Sequence, residues 1–208
     1  NGDLDVAVSD FSVMRHINPD YLFRHRRLFA GARLLVIDAN LSDEALEAVF
    51  ELATRYGVQV CADPTSPYLA PRLCPYLDRL YLATPNAAET SALCGLEHRA
   101  YDRETAIDVA RRLVALGVEI AVVTLGEAGL AYANGNGSGY IGAIRTSIVD
   151  STGAGDAFTA AMIFGLLNEV PVDEAMRLGI TAASLTLQTT ETVLPELSQE
   201  LLYARLIV

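Results

Sequence analysis

The 208 residues are 51% hydrophobic and 20% charged, with a formal net charge of −11 and a mean hydropathy of +0.28. This balance suits one domain, or one large domain with a small appendage, and a substantial core rather than a disordered chain, and its acidity opposes long-range attraction to a polyanion, which argues against general nucleic-acid binding. No apolar stretch approaches the ~20 residues of a membrane helix, and no basic start with an apolar run marks a signal peptide, so a cytoplasmic protein without a membrane partner is expected.

All fifteen basic residues are arginine. Without lysine, neither a Walker A loop nor the strand lysine of a protein kinase can form, so any phosphate must be met by backbone amides, arginine or metal. Cys61, Cys74 and Cys94 are odd in number and lack C-x-x-C spacing. They read as reduced, mostly buried thiols. His16, His25 and His98 are scattered and read as surface residues.

In chain order, Leu34 to Ile37 reads as a buried strand ending in Asp38-Ala39-Asn40. Ser42 then looks like an N-cap, with Asp43 and Glu44 where the helix dipole favours anions. Leu46, Val49, Phe50 and Ala53 repeat at helical spacing, and Gly57 is a plausible stop. Val58 to Ala62 is the next strand, ending in Asp63-Pro64-Thr65-Ser66. Leu80 to Ala83 reads as another, followed by Thr84-Pro85-Asn86 and a short helix containing Glu89. Ala106, Val109, Ala110 and Leu113 form an amphipathic face closed by Gly117, and Val118 to Thr124 is a buried strand. Leu130 to Ala133 and Tyr140 to Arg145 look like a hairpin across Asn134 to Gly139. Helical patterns from about Gly155 to Asn168 and about Val172 to Thr189 follow.

Such alternation predicts an α/β fold with a mostly parallel sheet and helices on both faces. Ligands of these sheets bind beyond the carboxyl ends of the strands. Asp38/Asn40, Asp63, Asn86/Glu89 and Thr124/Gly126 all fall there.

The stretch Asp150-Ser151-Thr152-Gly153-Ala154-Gly155-Asp156 is a small-residue loop opening onto an apolar helix. Gly153, Ala154 and Gly155 offer bare backbone N–H groups at a helix N-terminus, where unpaired donors and the dipole bind anions. Asp156 lies in or beside the first turn, placed to accept a proton from an attacking hydroxyl. Taken alone, Asp156 would also serve as a helix cap, Asn86 and Glu89 as a cap and a solvated acid, and Gly126 and Gly129 as turn glycines. The loop Gly135-Asn136-Gly137-Ser138-Gly139 matches part of a dinucleotide fingerprint, but it lies between hairpin strands and opens no helix.

The Asp150–Asp156 segment resembles the signature of the ribokinase-like (PfkB-type) carbohydrate kinases. Asn86-Ala87-Ala88-Glu89 is similar to their N-x-x-E motif, and Val123-Thr124-Leu125-Gly126-Glu127-Ala128-Gly129 to their nucleotide-binding strand end. The resemblance covers nearly the whole chain. It implies Asp156 as catalytic base and Gly153, Ala154 and Gly155 as an anion hole. It further implies Asn86 and Glu89 as organisers of Mg²⁺ and phosphates through water, and Thr124, Gly126 and Gly129 as lining for ATP. Asp150 and Thr152 resemble ligands of the monovalent cation, K⁺, that activates parts of the family, although a loop-stabilising turn accounts for them nearly as well.

Within the family the chain resembles the pseudouridine kinases in Val6-Ala7-Val8-Ser9-Asp10, Asp38-Ala39-Asn40-Leu41-Ser42 with Glu44-Ala45-Leu46, Asp63-Pro64-Thr65-Ser66 and Thr192-Val193-Leu194-Pro195-Glu196-Leu197-Ser198. The implied reaction is ATP-dependent phosphorylation of the ribosyl 5′-hydroxyl, with Asn40 as a substrate contact. A kinase for another acceptor, such as ribose or adenosine, and a non-catalytic nucleotide-binding module derived from a kinase are the alternatives. Asn1 falls at a point resembling the middle of such a kinase. The expectation is therefore a three-layer ribokinase-like fold without its N-terminal strands and most of its lid, residues 1–208 being the C-terminal catalytic and nucleotide-binding part of one domain. Such a chain alone is expected to bind nucleotide weakly, to lack sugar kinase activity, and to associate through its sheet edge, a homodimer being one outcome.

Overall fold

The computed structural model describes residues 10–97 and 101–206. The stretch Val6 to Ser9 and His98 lie outside the described residues. Two compact units emerge, one of residues up to 125 with 130–141, the other of 126–129 with the chain from 142 onward.

The first unit carries helices α1 (Pro19–Arg24) and α2 (Arg26–Gly31), strand β1 (Leu34–Asp38), α3 (Asp43–Tyr56) and β2 (Gln59–Asp63). After the 3-10 segment Ala70–Arg79 come β3 (Leu82–Ala83), α4 (Ala87–Cys94), α5 (Arg103–Ala115), β4 (Ile120–Thr124), β5 (Leu130–Asn134) and β6 (Gly137–Ile141). One sheet takes the strands in the order β1-β2-β3-β4-β5-β6. The first four run parallel and the last two form an antiparallel hairpin on β4.

Right-handed crossovers that always step in the same direction place their connecting segments on one face. The core agrees. Ile37, Val60, Ala62, Ala83, Ala121 and Val123 share one cluster with α3, the 3-10 segment, α4 and α5. Along the central strands the alternate residues Cys61, Leu82, Ile120 and Val122 are buried as well, the two-sided burial that parallel sheets require.

Helix α3 forms as its residues dictate. Ser42 accepts the Ala45 N–H at 3.2 Å, Asp43 and Glu44 occupy the first turn, and Gly57 ends the helix at φ 65°. Its apolar face, including Leu46, Val49, Phe50 and Leu52, is fully buried, each side chain contributing about 1.5–3 kcal/mol. The first strand departs from expectation. Only Ile37 of β1 is buried and Val36 is 53% exposed, because among the described residues β1 pairs with β2 alone. β3 shrinks to two residues.

The hairpin also differs. Its second strand starts at Gly137, three residues before the expected Tyr140. The Asn134 side chain closes the turn by accepting the N–H groups of Asn136 (2.9 Å) and Gly137 (3.1 Å). Gly139 lies so close to Tyr132 that a Cβ would stand 2.7 Å from the phenol oxygen. The glycine run is thus a strand that makes room for a cross-strand aromatic ring.

The second unit contains α6 (Ala154–Leu167), α7 (Val172–Thr186) and α8 (Gln199–Arg205), with a 3-10 turn at Gly126–Ala128. The short link between α6 and α7 makes them antiparallel neighbours. They approach closely because Gly165 faces Ala175 and Gly179 faces Phe158, where a Cβ would stand within 2.8 and 2.7 Å of those side chains. Leu202 of α8 joins Ala161, Leu178 and Ala182 in this core. Among the described residues no helix is long and apolar enough to cross a membrane.

Candidate functional site

The carboxyl ends of the parallel strands in the first unit carry Asp38, Asn40, Asp63, Asn86, Glu89 and Thr124 of the residues singled out in the sequence. Asp38 and Asp63 are register partners at the ends of β1 and β2. Asn86 forms an isolated parallel bridge with Thr124 at the end of β4, and the Thr124 N–H donates to the Pro85 carbonyl at 2.9 Å.

Asn86 and Glu89 form a reciprocal cap on α4. The Asn86 side chain accepts the Glu89 N–H at 2.9 Å, and the Glu89 carboxylate accepts the Asn86 N–H at 2.8 Å. The capping role is therefore real, but the solvated acid is not, since Glu89 is only 6% exposed. Burial pushes its carboxyl up to about 6, the Asp63 charge adds to the rise, and the hydrogen bonds from Asn86 oppose it. A buried carboxylate facing a second acid gains from a nearby cation. With an amide oxygen beside it, the donor set has the hard-oxygen chemistry of Mg²⁺. Among the described residues no three of His, Cys, Asp or Glu converge as a metal cage.

Asn40 follows β1. Its side-chain N–H donates to Asp38 Oδ2 at 2.9 Å and its backbone N–H to Asp38 Oδ1 at 3.1 Å. Its Oδ1 is buried and meets no donor among the described residues. Two supports of this loop had no local signal in the sequence. Arg72 donates to the Leu41 carbonyl at 3.1 Å, and Thr65 Oγ1 accepts the Ala39 N–H at 3.2 Å. Both lie more than twenty residues away along the chain, so only folding reveals them.

In the second unit Gly126 and Gly129 bracket a tight turn, with φ 58° and 104° and the Gly129 N–H on the Gly126 carbonyl at 3.0 Å. Gly126 has nothing within 4 Å of a Cβ position, which leaves its backbone open to approach. Helix α6 follows Gly153, which lies at φ 82° and provides no side-chain cap; the Ala154 N–H reaches the Ser151 carbonyl at 3.4 Å, and the next N–H groups of the first turn lack an intrahelical acceptor. A Cβ on Gly153 would overlap the Thr192 carbonyl, and so the segment after α7 holds this loop in place. Asp156 lies in the exposed first turn of α6, and two residues on, Phe158 is clamped against Gly179. Asp150 accepts the Thr152 N–H at 2.8 Å, which lowers its carboxyl below the usual range; this is a loop-stabilising turn, whatever else the pair binds. Cys61 and Cys94 are buried, Cys74 is exposed, and all three are free thiols.

The chain belongs to the pfkB family of carbohydrate kinases, whose model matches residues 7–199. It is 29% identical over 198 residues to pseudouridine kinase of Escherichia coli (strain K12), covering 95% of this chain and 62% of that protein. Deoxyribokinase of Salmonella typhi is 26% identical over 187 residues, covering 89% of this chain and 60% of that protein. Among solved structures, a carbohydrate kinase from Agrobacterium tumefaciens matches with TM-score 0.81 and 26% identity, covering 97% of this chain and 63% of that one. Arabidopsis thaliana ribokinase complexed with ribose and ATP matches with TM-score 0.75 and 24% identity, covering 88% and 58%. The fold is the ribokinase-like α/β fold, and the chain spans somewhat under two thirds of the length of these relatives.

Proposed function

We propose that the chain is the catalytic and nucleotide-binding part of an ATP-dependent phosphotransferase acting on a sugar or nucleoside hydroxyl, with the 5′-hydroxyl of pseudouridine as the preferred acceptor. The observation that carries this reading is the start of α6: an uncapped helix N-terminus opened by Gly153, with Asp156 in its first turn. That arrangement supplies fixed N–H donors for phosphoryl oxygens and a carboxylate for a hydroxyl proton.

In the proposed reaction Asp156 takes the proton of the acceptor hydroxyl as its oxygen bonds to the γ-phosphorus. The bond to the β–γ bridging oxygen breaks and ADP leaves. The N–H groups of Gly153, Ala154 and Gly155 stabilise the charge spread over the transferring group. Thr124, Gly126 and Gly129 line the nucleotide. Asn86 and Glu89 hold Mg²⁺ and the phosphates through water, and Mg²⁺ supplies neutralisation of phosphate charge. Asp150 and Thr152 take the monovalent cation, and Asn40 contacts the acceptor.

Pseudouridine as acceptor is supported by the likeness to the E. coli enzyme across 95% of this chain. The likeness to a deoxyribokinase and to ribokinases supports a second reading, in which the same chemistry serves a free pentose. The test is ADP release by the full natural chain with MgATP and K⁺, offered pseudouridine, ribose, 2-deoxyribose or adenosine, beside Asp156→Asn. Loss of the base is expected to lower kcat by about 10²–10⁴-fold. Turnover confined to another acceptor would discard pseudouridine and keep the mechanism. ATP binding without turnover on any acceptor would point to a binding module instead.

A further inference from the structure

Helix α4 ends on four carbonyls that the helix itself cannot pair, and each finds a donor. The Leu96 N–H takes the Ser91 carbonyl at 2.8 Å and the Gly95 N–H takes the Ala92 carbonyl at 3.3 Å, a local closure made by Gly95 at φ 63°. The last two are met from elsewhere in the chain. The Cys94 carbonyl accepts the Arg112 guanidinium at 3.0 Å, and the Leu93 carbonyl accepts the Cys74 thiol at 3.5 Å. A thiol is a weak donor, and this one comes from the 3-10 segment, nineteen residues back along the chain.

That hydrogen bond brings two of the three cysteines together. Cys94 follows Leu93 directly, so standard peptide dimensions put the Cys74 sulfur within about 6.5 Å of the Cys94 Cα. Leu73 and Leu77 of the 3-10 segment share one core with Leu93 and Cys94 of α4. The two thiols are differently placed: Cys74 is exposed to a soluble oxidant and Cys94 is buried. Burial raises both above the ordinary thiol range; at Cys94 the Arg112 guanidinium opposes the rise and the Cys74 charge adds to it. Cys61 is buried in β2 and pushed up to about 12, which leaves it inert.

We infer that Cys74 and Cys94 form a peroxide-sensitive pair, whose oxidation to a disulfide ties the end of α4 to the 3-10 segment. Closing the gap to an S–S bond of about 2.05 Å takes rotation of both side chains and a small approach of the exposed Cys74. In the first step the Cys74 thiolate attacks one peroxide oxygen and the O–O bond breaks. The departing oxygen takes up the thiol proton and leaves as water, and Cys74 becomes a sulfenic acid. In the second step the Cys94 sulfur attacks the Cys74 sulfur, the S–O bond breaks, and the hydroxide leaves as water with the Cys94 proton. Two electrons pass from the two sulfurs to the peroxide. Because burial keeps little of either thiol ionised near neutrality, both steps are slow there, and the pair responds to sustained rather than brief oxidation.

The bond consumes the Cys74 S–H, so the Leu93 carbonyl loses its donor. The same helix carries the Asn86–Glu89 cap at its other end, and the 3-10 segment carries Arg72, which supports the Leu41 carbonyl. Oxidation therefore disturbs both elements that hold the proposed site. That effect on turnover rests on the kinase reading above, whereas the bond itself does not.

The experiment treats the full natural chain with hydrogen peroxide, alkylates the remaining thiols with iodoacetamide in denaturant, and digests with trypsin without reduction. Acceptor-dependent ADP release is followed in parallel. Cleavage after arginine places Cys61, Cys74 and Cys94 in three separate peptides, 56–72, 73–79 and 80–99. Peptides 73–79 and 80–99 are expected as one species, two hydrogens lighter than their sum, while 56–72 is alkylated and dithiothreitol dissolves the link. The kcat/KM for the acceptor falls by about 10-fold or more, the scale of a small misplacement, and dithiothreitol restores it. Cys74→Ser keeps a donor for the Leu93 carbonyl and cannot form the bond, so it is expected to match the untreated wild type and to keep that activity in peroxide. Should Cys74→Ser fail to fold, Cys94→Ala serves as the chain that cannot be linked. Peptides that stay separate, a link that includes 56–72, or a loss of activity as large in Cys74→Ser overturns the inference. A link that leaves kcat/KM unchanged overturns its effect on turnover. Failure of the kinase reading shows separately, as a reduced chain that releases no ADP with any acceptor while the linked peptides still form.

Discussion

At the scale of single residues, Glu89 shows how a helix cap and a buried ionisable group can be the same atoms. Its carboxylate closes the cap of α4 on the Asn86 N–H, and it does so at 6% exposure, where ionisation is unfavourable. With a folded pKa of about 6 against an ordinary 4.5, the native state binds more protons than the unfolded chain between those values. This contribution to stability is fully present below pH 4.5 and is lost as pH rises through 6, about 2 kcal/mol in all. Glu89→Gln keeps the cap without the buried charge. It is expected to unfold at higher urea than wild type at pH 8, to equal it near pH 4, and to lose Mg²⁺-dependent ATP binding. Equal urea midpoints for the two proteins at pH 8 would count against the buried charge. The N-x-x-E spacing and its capping use were legible in the sequence. The burial was not, since it follows from the packing of α4 against the 3-10 segment and α5.

Elements were readable where a cap, a periodic face and a stop coincide. Helices α3 and α5 meet that condition. Ser42 and Asp102 accept the N–H groups of Ala45 and Thr105, and the predicted faces are buried. Segment Ala70–Arg79 gave no clean helical reading because Pro75 lies inside it, which removes a donor and leaves 3-10 geometry. The short α1 carries a local signal of its own, since Asn18 before Pro19 is an N-cap followed by proline in the first turn. Helix α6 was expected from its apolar run, but what fixes its entrance is tertiary. The Thr192 carbonyl fills the space where a Cβ on Gly153 would go, so Gly153→Ala must both adopt φ 82° and displace that carbonyl. The variant is expected to lower kcat by about 10²-fold or more, the scale of losing one aimed N–H donor, while its far-UV circular dichroism stays close to wild type. Full activity in Gly153→Ala would mean that the loop is not the anion hole.

At the scale of the whole chain, the net charge of −11 sets a long-range field that would repel the ATP of the proposed reaction, while the N–H groups of the proposed anion hole would attract it. Salt screens the first more than the second, since the Debye length falls from about 30 Å at 0.01 M to about 8 Å at 0.15 M. The association rate of MgATP is therefore expected to rise several-fold as choline chloride is raised over that range at constant K⁺. A falling rate in stopped-flow measurements would place the dominant field at the local site instead. Composition alone supported that prediction, just as the alternation of apolar runs supported a mostly parallel sheet and the glycine–aspartate loop pointed to the family. These are properties of neighbours along the chain, or of the chain summed, and they survive without coordinates. Strand order, the bracing of Asn40 by Thr65 and Arg72, and the seat of Gly153 against Thr192 depend on residues tens of positions apart. Only the tertiary structure decided them, because contact between distant segments is selected by the packing of the whole core and leaves no local periodicity to read.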